Sequence, residues 1–303
     1  MKPSRFALRP VLCLFVIMPV LMAGAFAQTP QPTPKATSAV KTPSPPLAKS
    51  ALERKLFKNI LRDQAAIWTA PLHIQRADAA WLLPLGLSSA ALIATDSRTA
   101  FALRDKQKLV TVSHAASYPG GGYGATSVAA AFYFIGRARN NTRARETGLL
   151  AGEALIDTAL VTLALKGVTQ RTRPMYNDSR GKFFHGGTAF PSGHAAGAWA
   201  IASVVADEYK DRPLVRFSAY GLATAVSIAR YTGRNHYLSD SLVGGAIGYG
   251  IGHYVYRKHH NPQNDSLTDE AFKNQSRSKL FPAIAPRYDR RAGDYGITLT
   301  WGL

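Results

Sequence analysis

Cysteine is nearly missing from this sequence. Among 303 residues there is one, Cys13, inside an apolar run near the N-terminus. A single thiol excludes an intrachain disulfide, and it excludes metal sites built on several thiolates, so the fold must be held by core packing. Acidic residues are scarce as well, with 18 Asp and Glu against 37 Lys and Arg, a formal net charge of +19. That imbalance favours anionic partners: phosphate esters, anionic lipid surfaces or nucleic acid. The nucleic-acid reading rests on charge alone, because no helix-turn-helix, zinc-ligand spacing or aromatic-plus-basic strand motif is present. Internal repeats at solenoid or propeller periods are missing. Most apolar stretches fall short of the ~18 residues that a membrane-spanning helix needs.

What remains is a globular balance of 46% hydrophobic and 18% charged residues, which predicts one folded catalytic domain with appended segments. Lys2, Arg5 and Arg9, the apolar run 11–22 and Ala25-Phe26-Ala27 predict a signal peptide over 1–27 and export, an uncleaved anchor being the alternative. Residues 28–50, rich in Pro, Thr, Ser and Lys, read as an extended linker. Over 51–75 an amphipathic basic helix is expected, because Leu52, Leu56, Phe57, Ile60, Leu61 and Trp68 recur at helical spacing among Arg54, Lys55, Lys58 and Arg62. This helix fits either an anionic membrane interface or a packed surface position.

Apolar stretches at 80–95, 125–136, 148–165, 195–206, 214–229 and 241–256, dominated by Ala, Leu and Gly, predict an all-α bundle of about six core helices within 76–260. Charges such as Glu153, Asp157 and Asp207 interrupt them and favour a soluble or peripheral protein, with an integral inner-membrane protein as the rival. The tail 261–303 is polar and basic, and alternation of Ile297, Leu299 and Trp301 with Thr298 and Thr300 predicts a short β-strand at its end.

Three clusters carry chemistry. Lys166 and Arg173-Pro174, at the end of an apolar stretch, can converge on one anion. Pro191-Ser192-Gly193-His194 opens the next, where unpaired N–H groups and the helix dipole make an anion site and a His can donate a proton to a departing oxygen. Ser192 suits a plain N-cap equally well. In the third, Arg230 is followed by His236 and Asp240, whose i, i+4 spacing lets the carboxylate fix the imidazole tautomer and leave the other nitrogen free to attack.

The three together, Lys166-x6-Arg173-Pro174, Pro191-Ser192-Gly193-His194 and Arg230-x5-His236-x3-Asp240, resemble the signature motifs of the type 2 phosphatidic acid phosphatase superfamily, which also includes bacterial class A acid phosphatases and vanadium haloperoxidases. The resemblance covers 166–240 and departs at Ala229, where the family usually has Ser. It implies a helical phosphatase in which His236 attacks phosphorus to form a phosphohistidine and Asp240 orients it. His194 then protonates the leaving group and activates water. Lys166, Arg173, Arg230, the Ser192 hydroxyl and the Gly193 N–H hold the phosphate oxygens, with no metal and no cofactor.

The expected substrate is a phosphorylated lipid, phosphatidate-like or a polyprenyl pyrophosphate, met at an anionic membrane surface after export to the periplasm. Alternatives are a soluble broad-specificity acid phosphatase acting on small phosphomonoesters and a vanadate-dependent haloperoxidase. Nucleic acid is not an expected partner. Among residues outside the motifs, Gly120 to Gly124 read as a flexible loop, His185, Arg171 and Arg234 as pocket-rim or solvent-facing, and Glu153 with Asp157 as a polar helix stripe.

Overall fold

The computed structural model describes residues 51–103, 106–175, 180–261, 283–289 and 294–300. The expected signal peptide and linker lie outside the described residues. The chain divides into two units, one ending at His260 and one starting at Asn261.

The described residues of the first unit form eight α-helices: α1 (Ala51–Thr69), α2 (Ala79–Phe101), α3 (Gln107–Ala116), α4 (Gly122–Ala138), α5 (Thr142–Thr169), α6 (Gly193–Glu208), α7 (Pro213–Thr232) and α8 (Leu238–His259). The six apolar stretches correspond to α2 and α4–α8. Helix α3 has no counterpart among the apolar stretches, because QKLVTVSHAA is only 10 residues long and holds few large apolar side chains. Local chemistry sets the boundaries. Asn141 caps α5 by accepting from the Ala144 N–H at 2.9 Å, and α5 ends where Gln170 turns left-handed at φ 44. Pro213 occupies the first turn of α7, where its missing N–H costs nothing.

Helix α6 is the centre of the bundle, packed against α8, α7 and α5, while α5 also packs on α4 and α8. Its contact with α8 is close because Gly244, Gly248 and Gly252 recur every fourth residue. A Cβ at these positions would run into the backbone of Ser192, Ala196 and Ala200 on the facing chain. The core between them is built from small and branched residues, among them Ala144, Leu150, Ala154, Ala200, Val204, Ile251 and Val255. Small residues let the backbones approach, and this is how α6 and α8 bring their N-terminal ends together.

Two helical segments, Arg76–Phe101 and Thr142–Thr169, are long and apolar enough to cross a membrane by length and composition. The other described helices do not pass that test, as expected of most of the apolar stretches; in and beside these two, several charges turn inward and pair. Asp96 of α2 is 1% exposed and accepts from Arg171, and Arg143 and Arg145 of α5 are buried against Asp211 and Glu53. The most apolar part of the first segment is unburied, with Trp81, Leu83, Leu87 and Phe101 facing outward, whereas half of the second is inside the bundle.

Helix α1 divides its apolar residues between two faces. Leu52, Leu56, Ile60 and Ile67 turn towards the bundle, and Leu52 and Ile67 pack on its core. Phe57, Leu61 and Trp68 point outward beside the exposed Lys55, Lys58 and Arg62. The single stripe read from the sequence is therefore two.

In the second unit, strands β1 (Ala283–Asp289) and β2 (Asp294–Thr300) pair antiparallel, with Ala283 opposite Thr300 and Asp289 opposite Asp294.

Candidate active site

The three motifs meet at the N-terminal ends of α6 and α8 and the C-terminal ends of α5 and α7. The Ser192 N–H donates to the Asp240 carbonyl at 2.9 Å, which stitches the second motif to the third. The loop from α7 to α8 turns tightly through Arg234, at φ 57, and the N–H groups of Asn235 and His236 both donate back to the Arg230 carbonyl at 3.2 Å. This holds His236 in the interior, 2% exposed.

His236 Nδ1 lies 2.6 Å from the Ala189 carbonyl and 3.6 Å from Asp240 Oδ2. A carbonyl can only accept, so Nδ1 carries the proton and Nε2 is the nitrogen with a free lone pair. At 3.6 Å the carboxylate acts through its charge, not through a hydrogen bond. The i, i+4 spacing led to the expectation that Asp240 would accept from the imidazole; the Ala189 carbonyl takes that place instead. Burial lowers His236 to about 4; Asp240 opposes the shift, and Lys166 and Arg230 reinforce it.

Asp240 is itself held rigidly. Its Oδ2 accepts from the Tyr237 N–H at 2.8 Å and its Oδ1 from Arg171 Nη1 at 2.6 Å. Arg171, 1% exposed, also donates to Asp96 Oδ2 at 3.0 Å, to Ser239 Oγ at 2.7 Å and to the Gly181 carbonyl at 3.2 Å. Its guanidinium lies over the rings of Phe183 and Tyr237, 4.7 and 4.3 Å from their centroids. The rim or solvent-facing position read for Arg171 is thus corrected. Its donors face buried carboxylates and oxygens, so it braces Asp240. Asp96 went unnoticed, and its signal was a lone carboxylate after a 16-residue apolar run.

The cations surround His194. Burial, followed by the charges of Arg230, His236, Arg173 and Lys166, lowers its imidazole to about 3. Lys166 Nζ donates to the Thr188 and Pro191 carbonyls at 2.7 and 2.6 Å, Arg173 Nη2 to Thr188 Oγ1 at 3.2 Å, and Arg230 Nη1 to Ser117 Oγ at 3.0 Å. Arg230 Nε is buried with no hydrogen-bond partner among the described residues. Ser192 acts as the α6 N-cap, its Oγ accepting from the Ala195 N–H at 3.4 Å. Gly193 follows as the first residue of α6, and its N–H belongs to the first turn, where such groups have no helical partner.

Gly120 and Gly121 are packed against this site. A Cβ on Gly121 would lie 2.9 Å from His194 Nε2, and one on Gly120 would lie 2.8 Å from the His194 carbonyl. Only a residue without a side chain permits that approach, so the loop serves as one wall beside His194. His185 is exposed, with Nδ1 on the Phe183 carbonyl at 2.6 Å, and Arg234 donates to the Pro174 carbonyl at 3.2 Å; both bonds organise loops.

Chemically, the arrangement offers a buried imidazole with one free nitrogen, a second imidazole held neutral by cations, and three cationic side chains with a helix N-terminus around them. Such a site suits attack on a tetrahedral oxyanion centre.

A family profile described as the PAP2 superfamily matches residues 147–263, the stretch that holds all three motifs. A lipid A 1-phosphatase of Porphyromonas gingivalis is 31% identical over 109 residues, 35% of this chain and 24% of that protein, so the chain spans about a quarter of the length of this relative. Among solved structures, Aquifex aeolicus LpxE is 22% identical, covers 49% of this chain and 86% of its own, and superposes with a TM-score of 0.40. A transmembrane PAP2-type phosphatidylglycerolphosphate phosphatase from Bacillus subtilis is 20% identical over 72% of this chain and 96% of its own, with a TM-score of 0.39.

Proposed function

We propose that this chain, whose residues 147–263 match the PAP2 superfamily profile, is a member of that superfamily: a phosphomonoesterase that works through a phosphohistidine on His236 and acts on lipid phosphates. The observation that carries the reading is the His236 tautomer. Nδ1 is committed to the Ala189 carbonyl, so Nε2 remains free to attack, with Lys166, Arg173 and Arg230 near enough to influence His194 beside it.

In the first half-reaction Nε2 attacks phosphorus and the ester oxygen departs, taking a proton from His194. Asp240, braced by Arg171, stabilises the charge that develops on the His236 ring. In the second, His194, now neutral, takes a proton from water, whose oxygen attacks the phosphohistidine and releases inorganic phosphate. Lys166, Arg173, Arg230 and the Gly193 N–H balance the charge on the non-bridging oxygens throughout.

Lipid as the carrier of the phosphate is supported by the exposed apolar face of α2, by the outward Phe57, Leu61 and Trp68 of α1 beside basic residues, and by the lipid A substrate in the name of the P. gingivalis relative. The test is phosphate release from a soluble aryl phosphate and from micellar lipid phosphates by wild type and His236→Ala. The expected outcome is loss of turnover on both substrates in the variant, and faster wild-type turnover on the lipids. Wild-type rates in His236→Ala would remove His236 as the nucleophile. A preference for the soluble ester would support the acid-phosphatase alternative.

A further inference from the structure

Helices α1, α5 and α8 bring Asp63, Glu153 and His259 together, and each offers one ligating atom within 4.8 Å of the others. Asp63 and Glu153 are both 1% exposed. His259 Nε2 lies 2.8 Å from Asp63 Oδ2 and 3.6 Å from Glu153 Oε1. Ligand atoms at the usual zinc distances of about 2.0–2.2 Å in a tetrahedral site are about 3.4 Å apart, a value between these two.

The second observation concerns unpaired oxygens. Among the described residues Glu153 Oε1 is buried with no hydrogen-bond partner, although it sits among these ligating atoms. Asp157, one turn further along α5 and fully buried, leaves its Oδ2 unpaired as well. A buried carboxylate oxygen without a donor is costly and calls for a proton or a cation.

The surrounding groups do not supply enough positive charge. Tyr254 donates its hydroxyl to Asp63 Oδ1 at 3.1 Å and Gln64 its amide to Asp157 Oδ1 at 2.9 Å, both neutral. Lys258 bears on His259 only as a like charge.

The geometry points to a divalent-cation site of the zinc class, with His259 Nε2, an Asp63 oxygen and Glu153 Oε1 as ligands and water in the fourth position. On binding, His259 loses the Nε2 proton that it shares with Asp63, and that proton passes to solvent. The three ligands come from three helices, so the ion pins α1 to the bundle. It is remote from the chemistry: Asp240 and His259 stand at opposite ends of α8, nineteen residues and about 28 Å apart along the axis. The site is structural, and the phosphohistidine reading neither requires it nor depends on it.

The experiment uses the untagged full-length protein. Metal content after dialysis is measured, then Zn²⁺ affinity and melting temperature after chelation, for wild type, Glu153→Gln and His259→Gln. Co²⁺ substitution reads coordination through its tetrahedral absorption band. One tightly held Zn²⁺ per chain is expected, with a melting temperature that falls on chelation and recovers on adding Zn²⁺ back. Each variant should lose at least about tenfold in affinity and the Co²⁺ band, since a ligand is removed. Soluble-ester turnover below the melting temperature should stay at the wild-type rate, which separates this site from the phosphatase reading. Wild type that holds no stoichiometric zinc, and melts identically with and without chelator, overturns the proposal in favour of a proton-held cluster. That measurement decides even where a variant fails to fold. Equal Zn²⁺ affinity in a folded His259→Gln protein overturns it too.

Discussion

His194 illustrates how a single side chain is set by what surrounds it. Burial and four nearby cationic or ionisable groups keep it neutral at about 3, yet a leaving-group acid must carry a proton. A bound phosphate supplies the negative charge that reverses this balance. The expected result is an upward movement of the His194 NMR titration by at least about one unit in saturating phosphate. A curve that does not move would take His194 out of the phosphate's reach. The sign for stability follows. His194 and His236, lowered to about 3 and about 4, bind fewer protons folded than unfolded, where the ordinary value is 6.5. Stability without phosphate should therefore fall as pH drops below ~6.5 towards ~4, and a series of melting temperatures in that window, with and without phosphate, checks it. Arg171 belongs at this scale too. Because it touches Asp240 and not the phosphate, Arg171→Lys should lower kcat by roughly 10- to 100-fold with little change in KM, whereas loss of Arg173 should raise KM. A KM effect as large as the kcat effect would place Arg171 on the substrate instead.

At the scale of the element, α1 joins two surfaces. Its inner face buries Ile60 and Asp63 against the bundle, and its outer face sets Phe57, Leu61 and Trp68 among Lys55, Lys58 and Arg62. Aromatic and aliphatic groups flanked by cations are the composition of a helix lying in an anionic membrane interface. Each cation near such a surface contributes about 1 kcal/mol at low salt, so on the proposed reading three would hold the domain near a lipid substrate. Replacing Lys55, Lys58 and Arg62 with Gln should weaken binding to anionic vesicles and slow turnover of lipid phosphates, while hydrolysis of a soluble ester stays nearly unchanged. Vesicle binding that persists in the variant and in high salt would assign the attachment to the exposed apolar face of α2.

For the whole molecule, the net charge of +19 becomes local. Lys166, Arg173 and Arg230 gather where three motifs meet, while Asp63, Glu153 and Asp157 gather in a separate interior cluster. The pocket holds positive side chains where a metal-dependent phosphatase would need carboxylates. Turnover at temperatures below melting should therefore survive chelating agents and be inhibited by vanadate, which mimics the phosphoryl group at His236. Activity abolished by chelator in still-folded protein, and restored by one added metal, would contradict a phosphate pocket made of cations alone. A lower melting temperature in chelator with unchanged turnover is the pattern expected from an ion that pins α1.

Helices α2 and α4–α8 were legible because runs of Ala, Leu and Gly bounded by turn residues encode helix locally, and the pocket was legible because its members fall into three short motifs. The sequence alone therefore determined which residues carry charge and which carry imidazole, and the order in which helices present them. Packing decided the rest. The Arg171–Asp96 pair joins positions 75 apart, and Gln64 reaches Asp157 across 93. Neither leaves a local pattern, because the first exists only once the segment after α5 meets α2, and the second only once α1 packs on α5. Whether a charge in an apolar stretch ends a helix or braces an active site depends on the partner that meets it there. An unpaired charge cannot stay in a low-dielectric interior, and the tertiary fold supplies the pair.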